Sequence, residues 1–299
     1  MNRPILSIAF VTMNRSEQLK EAINSCLMCN LPKNTEFIIV DNGSIDDTEQ
    51  IIKKIIEKTE YKFIYHKLNK NIGAGGGRNL CFELSNGYYI YGGDDDAIID
   101  FKNNKDFFKI AIDIFENNKK IASLATQIFD TAWNKNRQEI SGPRIGENLY
   151  MCKMFSGGSH FLRKDFFKFP PYLNNKYGYE ELPASLIVVD FGGINAFCPN
   201  LLAIHKPKVN KWDFEISENR KYLIIECGIP YAIKMMMYPV IAKPLINVVH
   251  SIRRKKYLTE VDKKKEKIII NEIMNNYSLN RIKISTLIKL ICYFKLSIF

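Results

Sequence analysis

Apolar runs alternate with helical patterns over the first 130 residues. Residues 5–11, 37–40, 63–65 and 88–91 are nearly continuous apolar segments, typical of strands buried on both faces of a parallel sheet. Between them, apolar residues recur every three or four positions over 19–27 and 51–56, which predicts helices. Ser16 and either Asp46 or Asp47 are placed to cap these helices. The alternation predicts an α/β fold with a mainly parallel central sheet and helices on both faces.

Beyond residue 100 the alternation is looser, and the chain ends in helical patterns. The patterns predict helices and strands around one polar loop or ribbon, namely a helix at 105–117, a strand at 121–125, the loop at 129–150, a strand at 155–163, a helix at 181–189 and a strand at 201–205. After Pro207 they predict helices near 218–226, 230–249, 262–275 and 282–299. We therefore expect one domain over 1–207 and a mostly helical region over 208–299.

The composition is that of a globular protein whose core needs no disulfides. Apolar residues make up 46% and charged residues 25% of the 299 residues, which excludes disordered, collagen-like and disulfide-stapled proteins. The seven cysteines are scattered, and the pair Cys26 and Cys29 has no second close pair to complete a zinc site. We therefore expect reduced thiols in a cytoplasmic protein. Neither a signal-peptide pattern nor an apolar stretch of about 18 residues is present, so we expect no membrane-spanning helix.

The net charge of +11 is concentrated in the last fifth of the chain. Thirteen bases and four acids lie beyond residue 239, whereas the preceding part is nearly neutral. Nucleic-acid enzymes more often spread bases around a cleft, so we expect no nucleic-acid partner. The tail over 281–299 combines four bases with apolar residues and no acid. It predicts contact with an anionic membrane surface or, equally, packing on the protein or on a second subunit.

Three adjacent carboxylates, Asp94, Asp95 and Asp96, follow the predicted fourth strand. Asp41 follows the second strand, and the carboxyl ends of parallel strands meet at one edge of a sheet, where ligands bind. Burying adjacent carboxylates is costly unless a cation offsets their charge. Oxygen ligands favour Mg²⁺ or Mn²⁺, usually shared with substrate phosphates. The triplet therefore predicts a divalent-cation site, and an acidic surface turn is the alternative.

A glycine-rich turn over 71–77 precedes a short helix and is followed by Arg78 and Asn79. Backbone N–H groups at the helix start could bind phosphate there, together with the Arg78 guanidinium. The segment is not a P-loop, because no Gly-Lys-Ser or Gly-Lys-Thr follows, and Arg78 occupies the third glycine position of the dinucleotide fingerprint. A turn that packs closely on its neighbours is the alternative.

These motifs follow one another at successive strand ends and form a recognisable set. The set resembles the nucleotide-binding half of the inverting GT-A glycosyltransferases of the family-2 type, closely over 5–100 and more loosely to about residue 207. The resemblance implies a nucleotide-sugar-binding half over 1–100 and an acceptor-side half over 101–207. It implies that the donor is bound by Thr12, Asn14, Arg15, Asp41, Asn42, Gly73, Arg78, Asp94 and Asp95. It also implies that Asp96, with Asp94, holds the metal.

The second half carries fainter parts of the same resemblance. Glu180 and Glu181 stand at the family's acidic motif, which implies Glu181 as the general base with Glu180 beside it. The family often continues with Asp-Leu and then an Arg, whereas this chain continues with residues 183–186 as Pro-Ala-Ser-Leu. The alternative is that Glu180 and Glu181 are only acids at a helix N-terminus, where the helix dipole favours negative charge. His205 ends a predicted strand, where family members often place a histidine near the metal.

The resemblance implies an inverting glycosyltransferase that moves a sugar from a UDP-sugar to an acceptor hydroxyl with Mn²⁺ or Mg²⁺ as cofactor. The acceptor is expected to be a carbohydrate, a lipid-linked sugar or a protein, in bacterial-type polysaccharide or glycoconjugate assembly. The enzyme is expected in the cytoplasm, peripherally on the inner membrane face, and as a candidate homo-oligomer. Two alternatives stay open. One is a nucleotidyltransferase making a sugar nucleotide, and the other is a non-enzymatic module whose basic tail binds membranes or nucleic acid.

Overall fold

The apolar runs of the first hundred residues form the parallel half of a mixed sheet. The structure, a computed structural model, describes residues 3–175, 178–207 and 216–299, without the side chains of 216–219. Its first four strands are β1 Leu6–Thr12, β2 Thr35–Asp41, β3 Lys62–Lys67 and β4 Tyr89–Asp94. They pair in parallel in the order β3-β2-β1-β4. Every residue of β2 is buried, as expected for a strand covered on both faces.

Helices cover the two faces of this sheet. They are α1 Ser16–Leu27, α2 Thr48–Ile56, α3 Gly73–Leu84, α4 Phe107–Asn117 and α5 Glu181–Asp190. In β1, Ile8 and Phe10 lie in the core that includes α1, α2 and α4, whereas Ala9 lies in the core that includes α3 and α5. Alternate residues of a strand point to opposite faces, so the two cores are separated by the sheet. The predicted α/β fold with its central, mostly parallel sheet is confirmed.

The second half of the sheet mixes strand directions. Its strands are β5 Ala97–Ile99, β6 Ile121–Asp130, β7 Lys135–Asn136, β8 Arg144–Gly146, β9 Leu149–Met151, β10 Ser159–Arg163 and β11 Ile194–His205. β10 lies antiparallel between β4 and β6, and β6 pairs in parallel with β11. The polar segment predicted as a loop or ribbon contains three of these short strands. β6 runs five residues beyond its predicted end, and β5 was not predicted.

Two predicted details at helix starts are wrong. Ser16 is the first residue of α1 rather than its cap, and its hydroxyl donates to Asp47 Oδ1 at 2.6 Å. The glycines predicted to form a turn lie inside α3, which begins at Gly73. Asp46 does hold the start of α2, because its Oδ1 accepts from the Thr48 amide at 3.2 Å.

The region after residue 215 is helical, as predicted, but its helices are divided differently. They are α6 Ile216–Met237, α7 Lys243–Tyr257, α8 Glu260–Asn276 and α9 Ile284–Phe294. α6 continues through Pro230, where a helix boundary was predicted, and its residues Ile229 and Ile233 are fully buried. Burial of this apolar stretch outweighs the cost of the proline. The break comes instead at Pro239. The domain boundary proposed at 207/208 falls at the edge of residues 208–215, which lie outside the described residues.

The C-terminal tail packs on the protein. Leu287, Leu290 and Phe294 of α9 are buried in one apolar cluster with α5 and α6. Lys234 Nζ donates to the carbonyl oxygen of Phe299 at 2.9 Å, and the Tyr238 hydroxyl donates to that of Ile298 at 3.0 Å. Packing on the protein is therefore one role of the tail. Throughout the described ranges, we find no helix with the length and apolarity needed to cross a bilayer.

Candidate active site

Two aspartates and a histidine converge at the carboxyl edge of the sheet. Asp94 is the last residue of β4, Asp96 lies in the turn to β5, and His205 is the last residue of β11. β5 pairs antiparallel with the end of β11, and this pairing sets His205 opposite Ala97. One donor atom from each of Asp94, Asp96 and His205 lies within 4.8 Å of the others. The strand that was not predicted is thus the one that places the histidine.

The donor set fits a divalent cation. Asp96 Oδ1 is buried and makes no hydrogen bond, although His205 Nε2 lies 3.0 Å away. Two carboxylates with an imidazole are ligands that Mn²⁺ accepts readily, and Mg²⁺ accepts the carboxylates. Arg15 Nη1 lies 2.7 Å from Asp96 Oδ2 and 3.0 Å from Asp95 Oδ1, so the guanidinium also supplies positive charge to this cluster.

The neighbouring charges shift the pKa values of these groups in different directions. Burial raises the pKa of Asp95 to about 6, against the attraction of Arg15. Burial also opposes ionisation of Asp94, yet the charges of Arg78 and His205 hold the pKa of its carboxyl below the ordinary value. Burial disfavours the charged imidazole of His205, but Asp96 raises its pKa above the usual range. Asp94 is therefore ionised over the physiological pH range and available to a cation.

Asp130 and Arg137 complete the surroundings of His205. Asp130 Oδ2 lies 2.9 Å from His205 Nδ1 and accepts from Arg137 Nη2 at 2.6 Å. A carboxylate behind a histidine in this way fixes the orientation of the ring. Sequence reasoning missed both residues. Asp130 lies at the end of a strand, as Asp41 and Asp94 do. Because β6 was predicted to end at residue 125, Asp130 was not recognised as a strand-end residue.

A second group of predicted residues joins the end of β2 to the start of α3. Asp41 is fully buried, and its two oxygens accept from the Ser44 amide at 2.7 Å and from the Tyr65 hydroxyl at 2.6 Å. Asn42 Oδ1 accepts from the Ile72 amide at 2.9 Å, and its Nδ2 donates to Asn71 Oδ1 at 2.9 Å. These bonds hold the end of β2 and the start of α3 in one fixed arrangement at the sheet edge.

Two residues at the end of β1 and just after it tie the first group to the second. The Thr12 hydroxyl donates to Asp95 Oδ2 at 2.7 Å. Asn14 has a φ of 54°, in the left-handed region that asparagine tolerates, and its Oδ1 accepts from the Ile45 amide at 2.8 Å. The residues predicted to bind the donor therefore lie along one connected edge.

The glycines of α3 allow close packing. A Cβ at Gly75 would overlap the carbonyl oxygen of Leu173, and one at Gly77 would lie 2.5 Å from Val11 Cγ1. Gly73 has a φ of 85°, and its amide donates to Asn71 Oδ1 at 2.7 Å. The close-packing alternative thus describes Gly75 and Gly77, whereas a phosphate-binding role for the helix start stays a prediction.

Arg78 joins the cation-site carboxylates to the predicted base. Its Nη2 donates to Asp94 Oδ1 at 2.6 Å and its Nε donates to Glu180 Oε1 at 3.1 Å. The neighbouring Glu181 lies against Gly157, where a Cβ would overlap its carboxylate. Burial, together with the charge of Glu180, raises the pKa of Glu181 to about 8, and Arg78 opposes the shift. Acidic side chains that only interact with a helix dipole are usually exposed to solvent, whereas Glu180 and Glu181 are both buried.

Comparison with known proteins assigns the chain to a family. The model of glycosyl transferase family 2 matches residues 7–169, more than half of the chain. An uncharacterized glycosyltransferase of Haemophilus influenzae is 35% identical over 100 residues, which is 33% of this chain and 39% of that protein. The Escherichia coli UDP-Glc:α-D-GlcNAc-diphosphoundecaprenol β-1,3-glucosyltransferase WfaP is 35% identical over 86 residues, 29% of this chain and 33% of WfaP. The chain thus spans about two fifths or less of the length of these relatives.

Solved structures show the same fold. The crystal structure of S. aureus TarS in complex with UDP-GlcNAc superposes with a TM-score of 0.63 at 16% identity, covering 85% of this chain and 73% of that one. The mannosyltransferase PcManGT from Pyrobaculum calidifontis, in complex with GDP-Man and Mn²⁺, gives a TM-score of 0.60 at 12% identity, covering 98% and 80%. The family match and the shared GT-A fold support a glycosyltransferase over the two alternatives. The chain belongs to glycosyl transferase family 2 and has the GT-A fold of these solved structures.

Proposed function

We propose that the protein transfers a sugar from a UDP-sugar to an acceptor hydroxyl with inversion, assisted by Mn²⁺ or Mg²⁺. The observation that carries the proposal is the pairing of two acidic groups across Arg78. One group, Asp94 and Asp96 with His205, suits a cation. The other, Glu180 and Glu181, suits a proton acceptor. Sugar transfer from a nucleotide needs both functions, on opposite sides of the anomeric carbon.

The nucleotide is proposed to lie along the loops after β1 and β2. Asp41 and Asn42, with Thr12, Asn14 and Arg15, form a polar edge there, and Gly73 starts the adjacent helix. In the donor complex, Arg15 is free to turn from Asp95 and Asp96 towards the diphosphate, because its side chain is 29% exposed. Guanidinium groups bind phosphate through paired N–H donors. TarS and PcManGT in their complexes with nucleotide sugars support a donor of this class.

Asp94, Asp96 and His205 are proposed to hold the cation. A bound divalent cation neutralises the charge that develops on the leaving diphosphate. Asp130 holds the His205 ring from behind, and Arg137 in turn holds Asp130. The PcManGT complex, which contains Mn²⁺, supports a cation in this fold.

Glu181 is proposed to accept the proton of the acceptor hydroxyl. Its raised pKa makes its carboxylate a stronger base than an ordinary one near neutral pH. Gly157 lets the carboxylate approach the backbone, and Arg78 holds the adjacent Glu180 at 3.1 Å. A single displacement by the activated hydroxyl inverts the anomeric centre.

The acceptor is proposed to be a carbohydrate, preferably one linked to a lipid, at the inner face of a membrane during polysaccharide or glycoconjugate assembly. WfaP, whose name gives a diphosphoundecaprenol-linked acceptor, supports this class. The basic character of the chain beyond residue 239 is consistent with a surface that carries anionic lipid.

The direct test is a hydrolysis screen of nucleotide sugars with Mn²⁺, followed by NMR of the first anomer released. We expect one UDP-sugar to be cleaved, with inversion and with loss of activity in EDTA. Preference for a GDP-sugar would contradict the uridine assignment, and retention would contradict the role of Glu181. Full activity in EDTA would contradict the cation site.

A further inference from the structure

One side of α7 carries apolar residues that no described part of the chain covers. Leu245, Val248 and Ile252 recur at i, i+3 and i+7, and their exposed fractions are 37%, 55% and 62%. We call these three residues the α7 stripe. Val240 and Ile241, in the turn before the helix, are 63% and 76% exposed. Apolar residues at helical spacing usually face a core, whereas these face away from it.

The opposite side of α7 is the one that holds it to the protein. Ile246 and His250 are buried, and the His250 ring stacks on Tyr231 of α6 with centroids 3.8 Å apart. Arg254 pairs with the buried Glu266 of α8 at 2.6 Å. α7 is therefore a fixed helix with an outward apolar side, and substitutions in the stripe leave these attachments intact.

The charges around the stripe identify what would cover it. α7 contains five bases and no acid, and Arg253, Lys255 and Lys256 in its last two turns are exposed. Among the described residues these three have no ion-pair partner. An apolar stripe that ends in unpaired cations is complementary to an anionic lipid bilayer, in which anionic headgroups cover an apolar interior. A protein partner or a second copy of this chain would need acids opposite these bases, and α7 itself offers none.

The geometry points to α7 as the element that docks this enzyme on an anionic lipid surface. This inference deepens the proposed function, on which its biological meaning rests, and it moves the membrane contact from the tail to α7. α9 begins beside the same end of α6, since the Ile282 amide donates to the Met237 carbonyl at 2.7 Å. The exposed Ile284 of α9 and Ile241 before α7 thus flank one end of α6.

Removing the tail is not a clean test, because α9 also covers the apolar cluster of α5 and α6. Exposed positions provide a better one. The stripe variant carries Leu245→Ser, Val248→Ser and Ile252→Ser, and the charge variant carries Lys255→Glu and Lys256→Glu. The matched control carries Val261→Ser and Ile268→Ser on α8, which are 62% and 67% exposed but lie outside the stripe.

The experiment is flotation of the full chain with phosphatidylcholine vesicles that contain or lack phosphatidylglycerol. We expect binding only with the anionic lipid, a loss of at least about tenfold in vesicle partitioning for both test variants, and no loss for the control. Equal flotation of all variants, or no flotation of the parent chain, would overturn the inference. So would a parent dimer in light scattering that the stripe variant converts to a monomer, because a second copy would then cover the stripe.

Hydrolysis of the UDP-sugar without acceptor separates this inference from the proposed function. The stripe lies outside the active site, so the test variants should hydrolyse donor at the parent rate and keep the parent melting temperature. If no variant or parent hydrolyses any nucleotide sugar while flotation behaves as expected, the proposed function fails and the docking surface stands.

Discussion

At the scale of single residues, the candidate site depends on carboxylates in unlike surroundings. Asp94 is kept ionised by Arg78, whereas Glu181 is kept from ionising by burial and by Glu180. Arg78 contacts Asp94 and Glu180 directly, so one guanidinium sets the charge balance of both sides. Such opposed environments give two carboxylates different chemical roles at one pH.

The first prediction concerns Asp130. Asp130→Asn keeps an oxygen for the amides of Ala132 and Trp133 but places a donor towards Arg137 and His205, where an acceptor now lies. We expect Mn²⁺ affinity, measured by calorimetry, to fall about 10–100-fold. The exposed Asp165, paired with Arg3, supplies the control Asp165→Asn. Unchanged Mn²⁺ affinity in the first variant would mean that Asp130 only holds its turn.

The second prediction concerns Asp41. If Asp41 accepts a hydrogen bond from the uridine, Asp41→Asn should weaken UDP binding by about 1.5–3 kcal/mol, roughly ten- to hundredfold. Tyr65→Phe removes only the hydroxyl that donates to Asp41, so it tests the support of this carboxylate without removing its charge. We expect a clearly smaller loss of UDP affinity in calorimetry for that control. Equal UDP affinity in the parent and in Asp41→Asn would place the nucleotide elsewhere.

The third prediction concerns the base and its pH dependence. A base must be deprotonated, and the pKa of Glu181 is raised to about 8, so kcat/KM should rise between about pH 6 and 8 and then level off. Glu181→Gln should lower kcat by about 10²–10⁴-fold and remove this rise, while donor binding is kept. If Glu180→Gln shows this behaviour and Glu181→Gln does not, Glu180 is the base.

The same shift has a consequence for stability. A carboxyl group with a raised folded pKa binds more protons in the folded than in the unfolded state between its ordinary pKa and about 8. Stability is therefore lost as pH rises through this window. Glu181→Gln should melt at a higher temperature than the parent at pH 8 and show less difference near pH 4.

At the scale of elements, close approach of α3 to β1 decides where the site loops lie. Gly77 faces Val11 across this contact, and Gly75 faces Leu173. These contacts bring the first turn of α3 beside Asn42 and hold Arg78 at the sheet edge. The two glycines thus allow the close packing that positions Asn42 and Arg78.

The fourth prediction tests this packing. Alanine within a helix normally stabilises relative to glycine by about 0.5–1 kcal/mol. A Cβ at Gly77, however, would lie 2.5 Å from Val11 Cγ1, and valine is stiff at χ1. We expect Gly77→Ala to lose about 1–3 kcal/mol of unfolding free energy in urea. When Val11→Ala is combined with Gly77→Ala, the loss of unfolding free energy should be smaller than the sum of the two single losses. A loss equal to that sum would contradict direct contact between the two residues.

At the scale of the whole molecule, the helical region is joined to the central sheet through α5. The buried cluster of α9 contains Leu182 and Leu186 of α5, the helix that begins at Glu181. Asp190 at the end of α5 also accepts from the Lys283 amide at 2.7 Å and from the Thr286 hydroxyl at 2.7 Å. The tail therefore supports the helix that carries the proposed base.

The fifth prediction measures this support. Phe294→Ala should cost about 3–5 kcal/mol of unfolding free energy, because it empties a buried aromatic site in this cluster. Leu296→Ala, two residues away and 66% exposed, should change it by less than about 0.5 kcal/mol. Equal effects of the two substitutions would mean that the tail is not packed as described.

The sequence by itself determined the alternation of strands and helices over the first hundred residues, the family resemblance and most of the carboxylates at strand ends. These follow from local periodicity and from position along one strand. Only the tertiary structure decided which distant residues meet. His205 reaches Asp96 through the pairing of β5 with β11, Asp130 reaches His205 through the extension of β6, and Arg78 spans to Glu180. The sequence left open whether the tail packs on the protein or contacts a membrane. The structure shows it buried on α5 and α6, because these helices present apolar faces that it covers. The local pattern of apolar residues indicates which face of each segment can be buried. Which segments pack against each other depends on the free energy of the whole fold.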